Sequence, residues 1–368
     1  MGRRRKRVYA LMIALLVLAL AAVVLLRPGV MPSEPSNQTN ATSPANPANS
    51  TNFTNSTYPP ANPARPNNAT NPTSPPANPA NPANPNNLTN NSTNPANLAN
   101  STNIPLKIAT FNIQVFGESK RSKPEVMGVL ARVARNFDII AVQEFRDDTE
   151  TTLPVYLERI NSLPGPEYAA TSSPRLGRTS SKENYAFIYN TDTIRLVSGS
   201  NFTFADPPEG TAADLFQREP FIARFESAGG AAFDFVLITI HTEPDGTPQE
   251  LSSLPLALDA ARSRFGDETD FIMLGDMNAD CSYLSGSEAE SLALRNASFL
   301  WVVPDDADTT VKSTDCAYDR IILAGTAQEH YGGTWGIFRF DEAHSLNQSE
   351  AEDVSDHYPV WVELDPAR

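Results

Sequence analysis

Several apolar runs in this sequence stop on a residue that can ligate a cation or move a proton. "ATFN" ends at Asn112, "AVQE" at Glu144 and "ITIH" at His241, while "MLGDMN" supplies Asp276 and Asn278. The late run "SDHYP" adds Asp356 and His357, "YDR" adds Asp319, and "KEN" adds Glu183. The set is rich in oxygen, with two imidazoles and no thiolate. Hard cations such as Mg²⁺ take carboxylate, amide and water oxygens. Two histidines beside such a cation can divide the work of general base and general acid. Carboxylates gathered at this density repel one another unless metal or hydrogen bonds compensate. Taken singly, each residue has a plainer reading: a strand-end Glu is ordinarily solvated, an Asp after Gly is ordinarily a turn residue, and "SDH" can cap a helix. The recurrence at strand after strand favours a site.

The elements that must position these groups can be read from periodicity. "LKIATFN", "DIIAVQE", "PFIARFE", "FDFVLITIH", "FIMLGD", "YDRIIL" and "YPVWVEL" read as strands, as do the stretches near 184–190 and 193–197. "PEVMGVLARVARNF" carries Val126, Val129, Leu130, Val133 and Phe137 at helical spacing. Further helices are expected near 151–162, 249–265 and 287–296. Many strands with a few helices, and no internal repeat, predict layered α/β packing. Ligand sites in such sheets gather at strand ends, where rigid backbone delivers side chains to a cleft.

Only part of the chain can build that domain. Residues 2–7 read "GRRRKR", and from Val8 to Leu26 the chain is almost wholly apolar. This is about the length of one membrane crossing, roughly 20 residues, and longer than the usual signal-peptide core. It predicts an uncleaved anchor over 1–30, basic cluster inside and the remainder exported, with secretion after cleavage as the alternative. Residues 31–103 are poor in apolar side chains and rich in Pro, Asn and Thr, so burial cannot offset the entropy of ordering. Sequons crowd this segment, among them those headed by Asn37, Asn40, Asn52, Asn55, Asn68, Asn87 and Asn100, which predicts a disordered, glycosylated linker. Globular composition begins at Ile104, so the domain is expected over 104–368.

Charge narrows the partners. The first 103 residues hold seven basic residues and one acidic one, leaving 21 basic and 42 acidic residues in the remainder. So acidic a domain argues against broad, non-specific binding to phosphate chains. If it handles a polyanion, metal ions or a local basic patch must neutralise the contact. The two cysteines, Cys281 and Cys316, are expected to form a disulfide on an exported chain, the alternative being two buried thiols.

The motifs "LKIATFNIQVFG", "DIIAVQEFRD", "KENYAFIY", "REPFIARF", "GDMNADCSY", "CAYDRIIL" and "SDHYPVWVEL" follow the order of the endonuclease/exonuclease/phosphatase superfamily. The chain resembles its deoxyribonuclease I-like members over 104–368. The resemblance implies a four-layered α/β (α+β) sandwich, with two mixed, mostly antiparallel sheets face to face and helices outside. It implies a monomer that hydrolyses DNA phosphodiesters, on double-stranded DNA, to 5′-phosphate products. Carried over by position, Glu144 and Asn112 hold Mg²⁺ (or Mn²⁺), with Asp276, Asn278 and Asp356 as further members of the metal and phosphate site. His241 and His357 are the acid/base pair, oriented by Glu183 and Asp319. The disulfide between Cys281 and Cys316 is matched too. Structural Ca²⁺ is implied at Asp214, the Phe216 carbonyl and Glu219, with Asp206 beside them. A second Ca²⁺ loop is implied at Asp308, Thr310 and Thr314. There Lys312 stands where a small oxygen-bearing residue is usual, and a cation disfavours calcium.

At the DNA surface, Arg146 and Arg218 match contacts implied by the resemblance. Ser181 replaces an aromatic, and Gln114 replaces an Arg. These departures leave room for another phosphodiesterase of the superfamily, acting on RNA, phospholipid headgroups or phosphosugars. A non-catalytic surface module and a structural envelope protein fit less well, because every matched catalytic position is filled.

Overall fold

The computed structural model describes residues 104–207, 214–228 and 233–368. The anchor expected over 1–30 and the linker over 31–103 lie outside the described residues. Among those described, no helix is long and apolar enough to cross a membrane.

The chain builds two sheets, leaving the first, completing the second, and then returning. It opens with β1 (Leu106–Phe116), β2 (Ile139–Phe145), β3 (Tyr168–Ser172) and β4 (Asn184–Asn190). The second sheet takes β5 (Ile194–Leu196), β6 (Phe202–Thr203), β7 (Phe221–Ser227), β8 (Asp234–His241), β9 (Asp270–Asp276), β10 (Phe299–Trp301) and β11 (Asp319–Gly325). Finally β12 (Tyr331–Ile337) and β13 (Val360–Leu364) rejoin the first sheet. The strand orders are β12-β13-β1-β2-β4-β3 and β10-β11-β9-β8-β7-β5, with β6 paired to β7. Both sheets are mixed. Each has a single parallel pair, β1 with β2 and β8 with β9, and all their other pairings are antiparallel.

Three apolar layers hold the sandwich. The inter-sheet layer contains Ile108, Phe187, Phe225, Leu237, Ile272 and Val362. Outside the first sheet, Phe111 and Val142 pack on α1 (Pro124–Ala134) and α2 (Thr152–Asn161) through Leu130 and Tyr156. Outside the second, Ile238 and Met273 pack on α3 (Thr247–Arg264) through Leu254 and Leu258. Successive residues of β1 serve opposite layers, Ile108 facing the other sheet and Ala109 the helices, as the two-residue strand period requires. The inner strands β2 and β9 are buried along their whole length. With both faces covered, they read in sequence as continuous apolar runs rather than alternating ones. Each large aliphatic side chain so buried contributes about 1.5–3 kcal/mol.

Two local features aim side chains at one place. Register shifts occur in β1 between Asn112 and Phe116 and in β2 between Val142 and Phe145. Within these bulges Val115 and Glu144 adopt φ of 49° and 66°, a left-handed conformation that side chains disfavour. The distortion brings the Val115 amide to Glu144 Oε2 at 2.8 Å. The second feature is the disulfide from Cys281 to Cys316, which ties the loop after β9 to the segment before β11.

Candidate active site

Asp276, the last residue of β9, lies 2 % exposed at the centre of the strand-end residues. Its Oδ2 accepts Asn112 Nδ2 at 2.8 Å and lies 3.5 Å from both His241 Nε2 and His357 Nε2. The two imidazoles thus face one carboxylate oxygen. Parallel pairing explains half of this arrangement, because β8 and β9 run in register with His241 opposite Asp276. Antiparallel pairing of β9 with β11 adds Asp319, opposite Asp276 from the other side.

Each imidazole is held by its other nitrogen. His241 Nδ1 meets Glu183 Oε1 at 2.8 Å, and His357 Nδ1 meets Asp319 Oδ2 at 2.7 Å. Both supporting carboxylates are fully buried. This fixes ring orientation and leaves each Nε2 for chemistry. Burial works against a charged imidazole, but Glu183 outweighs it and, despite Arg218, raises His241 above its usual range. Burial likewise opposes charge on His357, yet Asp319 and Asp276 push it up to about 10. Against its own burial, Asp276 is held below the usual carboxylate range by His357 and His241. Burial lifts Asp319 despite the pull of His357.

Beside the imidazoles lies an oxygen pair. Asn112 Nδ2 also donates to Glu144 Oε1 at 3.1 Å, while Asn112 Oδ1 is buried with no hydrogen-bond donor. An orphaned amide oxygen next to a carboxylate held in place by a backbone amide fits a hard divalent cation. Among the described residues, Asp276, Asp319 and His357 also bring three metal-capable atoms within 4.8 Å of one another. Asn278 Nδ2 is committed to the Thr242 carbonyl at 3.0 Å, and its φ of 45° turns the chain sharply after the strand. Asp356 stands at the rim, its Oδ1 3.9 Å from His357 Nε2 and its Oδ2 taken by Gln114 Nε2 at 2.7 Å.

The two arginines diverge. Arg146 Nε lies 3.1 Å from Glu144 Oε2 and 3.6 Å from Glu183 Oε2, and its side chain remains 29 % exposed. It lines a cleft of about 330 Å³ beside His241, together with Glu144, Thr179, Ser181, Arg218 and Glu243. Arg218, expected at the DNA surface, reaches the same cleft but has its donors engaged by the protein. It is buried and donates Nε to the His241 carbonyl and Nη2 to the Thr242 carbonyl, each at 3.0 Å, with Glu183 Oε1 3.4 Å away. Its donors therefore secure the end of β8 and the Glu183 carboxylate.

In the loops named for calcium, several of the oxygens are engaged by the protein's own donors. Both oxygens of Asp206 accept the Leu215 amide and Oδ2 also takes the Phe216 amide, while Asp214 pairs with Arg178 at 2.7 Å. Burial, with Asp206 and Asp214 nearby, raises Glu219. In the second loop, Thr310 donates its amide and hydroxyl to Asp308 Oδ1 and also bonds the Thr314 carbonyl. Arg339 Nη2 lies 3.5 Å from Asp308 Oδ2, so a side-chain cation already faces the carboxylate assigned to calcium. Among the described residues, neither loop gathers three acidic, histidine or cysteine ligand atoms as the central site does.

Three supporting residues escape the strand-end pattern. Ser355 is fully buried; its hydroxyl donates to the Asn112 carbonyl at 2.7 Å and accepts the Gln114 and His357 amides. It thereby joins the metal side of the site to the imidazole side. Tyr185 Oη accepts the His241 amide at 3.0 Å. Glu250 Oε1 accepts the Gln217 amide at 3.0 Å, and burial pushes its carboxyl up to about 7. Their sequence surroundings give little signal: Glu250 stands in the polar run "TPQELSS", Ser355 opens "SDHYP" without ending a strand, and Tyr185 follows "KEN".

A family model for the endonuclease/exonuclease/phosphatase family matches residues 109–357, and the chain belongs to that family. Within it, the chain is a deoxyribonuclease I-like hydrolase: it is 38% identical to deoxyribonuclease-1 of Gallus gallus over 262 residues, 70% of this chain and 92% of the relative. It is equally 38% identical to deoxyribonuclease-1 of Equus caballus (71% and 93% covered) and to deoxyribonuclease gamma of Homo sapiens (72% and 88% covered).

Proposed function

We propose that this chain is an exported endonuclease that hydrolyses DNA phosphodiester bonds with a divalent cation and a histidine pair. The observation that carries the reading is the convergence of His241 Nε2 and His357 Nε2 on one oxygen of Asp276, next to the orphaned oxygen of Asn112. Glu144 and Asn112 would hold Mg²⁺ or Mn²⁺, with Asp276, Asn278 and Asp356 completing the metal and phosphate site. The cation supplies neutralisation of charge developing on the phosphate oxygens.

This chain's residues would do the rest. One imidazole takes a proton at Nε2 from the attacking water, and the other gives one from Nε2 to the departing 3′ oxygen, leaving a 5′-phosphate. Glu183 and Asp319 hold the rings so that Nε2, not Nδ1, meets the reaction. Arg146, partly exposed beside the cleft, is the cation that meets DNA, while Arg218 acts through Glu183 and the end of β8. Calcium at the loop of Asp206, Asp214, Phe216 and Glu219 would offset its acidic charge. A monomer suffices, since every catalytic group comes from one chain.

The full-length chain should nick supercoiled plasmid in Mg²⁺, and EDTA should abolish nicking. Parallel incubations with RNA and sphingomyelin address Ser181 and Gln114, the departures that favour a different phosphodiester. Intact plasmid after prolonged incubation with milligram-scale protein and Mg²⁺ or Mn²⁺ would overturn the proposal. Export rests on the basic-then-apolar segment at 2–26. A single-pass anchor with the catalytic domain outside predicts that protease added to intact cells removes the domain, and protection of the domain would contradict that topology.

A further inference from the structure

The acidic chain needs positive charge where a phosphate chain would enter, and three cations close to the imidazole pair are already engaged. Arg218 is buried against backbone carbonyls, and Arg146 is paired with Glu144 and Glu183. Lys120 donates to the Val354 carbonyl at 2.8 Å, and burial pushes its ammonium down to about 8. Lys312 also lies close by and is more exposed than these three, with half its side chain in solvent. Its Nζ lies 3.3 Å from Asp356 Oδ2, the same oxygen that accepts Gln114 Nε2. The other oxygen of that carboxylate is the one near His357 Nε2, so a single carboxylate separates the ammonium from the catalytic ring.

The backbone holds Lys312 in this position. Thr310 bridges antiparallel to His357, the Val311 amide donates to the Asp356 carbonyl at 2.9 Å, and the Val311 carbonyl accepts Gln348 Nε2 at 2.9 Å. With Arg339 on Asp308, the loop is anchored by side chains, and the Lys312 stem points to Asp356 rather than into the loop. An ammonium has three donors. One faces Asp356, and two remain for other acceptors.

We propose that Lys312 is a substrate-binding residue of this enzyme, contacting a DNA phosphate beside the cleaved bond and supplying, at the Asp356 oxygen it shares with Gln114, the positive charge that Gln114 lacks. The inference rests on the nuclease reading above. It makes the 308–314 loop part of the DNA surface.

The test uses full-length protein carrying His241→Ala, so that DNA survives, and a fluorescent duplex titrated in Mg²⁺ over a series of KCl concentrations. Adding Lys312→Thr should weaken binding several-fold at low salt and reduce the slope of log affinity against log salt by about 1. Lys312→Arg should keep the parent slope. In the His241-intact background, Lys312→Thr should raise KM for plasmid far more than it lowers kcat, with the melting temperature unchanged. An unchanged salt slope in a parent that binds DNA overturns this inference alone, as does tighter binding, which would mean that Lys312 merely masks Asp356. A parent showing no salt-dependent DNA binding overturns both this inference and the nuclease reading.

Discussion

Replacing His241 by alanine is expected to lower the turnover number for plasmid cleavage by about 10²- to 10⁴-fold, the usual worth of one general acid or base. The fold should survive. His241 ends β8, and its ring touches the site through Glu183 and Asp276, while the β8 ladder runs through backbone groups that alanine retains. Two comparisons separate loss of chemistry from loss of structure. The variant should bind duplex DNA with near-parental affinity and melt within a few degrees of the parent. The pair should also be non-additive, since two groups acting in one proton relay fail together: His241→Ala with His357→Ala should cost scarcely more than either alone. Near-parental turnover by the single variant would remove His241 from the mechanism.

Gly275→Ala should be severely damaging, costing about 3–5 kcal/mol of stability. Gly275 adopts φ of +153°, and a Cβ built there would sit 1.8 Å from the Ile240 carbonyl oxygen. Neither atom can yield, because Ile240 and Gly275 are register partners in the parallel β8–β9 pair. The next pair along is His241 with Asp276. The methyl group should therefore both destabilise the second sheet and pull the imidazole away from the carboxylate. Urea unfolding and plasmid nicking should fall together. A midpoint shift worth less than roughly 1 kcal/mol would show that the close approach is dispensable.

Legibility in the sequence followed burial. β2 and β9 were readable because strands covered on both faces are continuous apolar runs, and each run's polar end marked the site. β12 was not: it carries Gly332, Gly333 and Gly336, lies at a sheet edge and is half exposed, so no apolar run announces it. The short helices at Phe340–His344 and Gln348–Val354 are under two or so turns and display no period. β3 ("YAATS") is short and built mostly of small residues, and it too is an edge strand. Within the site, residue types were visible but bonding was not. No glycine announces the left-handed turn at Glu144, and Ser355 reaches a carbonyl 243 positions away. The burial of Arg218, and hence its supporting place, depends on packing between β8 and the loop before β7.

The lone parallel pair in each sheet has a further consequence. The regular pairing of β1 with β2 breaks just after Asn112 and Gln143, where Glu144 follows, and β8 and β9 end together at His241 and Asp276. The candidate site residues are thus divided between the two slabs, Asn112 and Glu144 on one and His241 and Asp276 on the other. Neither slab can act alone, so a nascent or partly unfolded chain is inert until the two have docked. Under the proposed function this is a built-in safety catch: competence arrives only with completion of the fold.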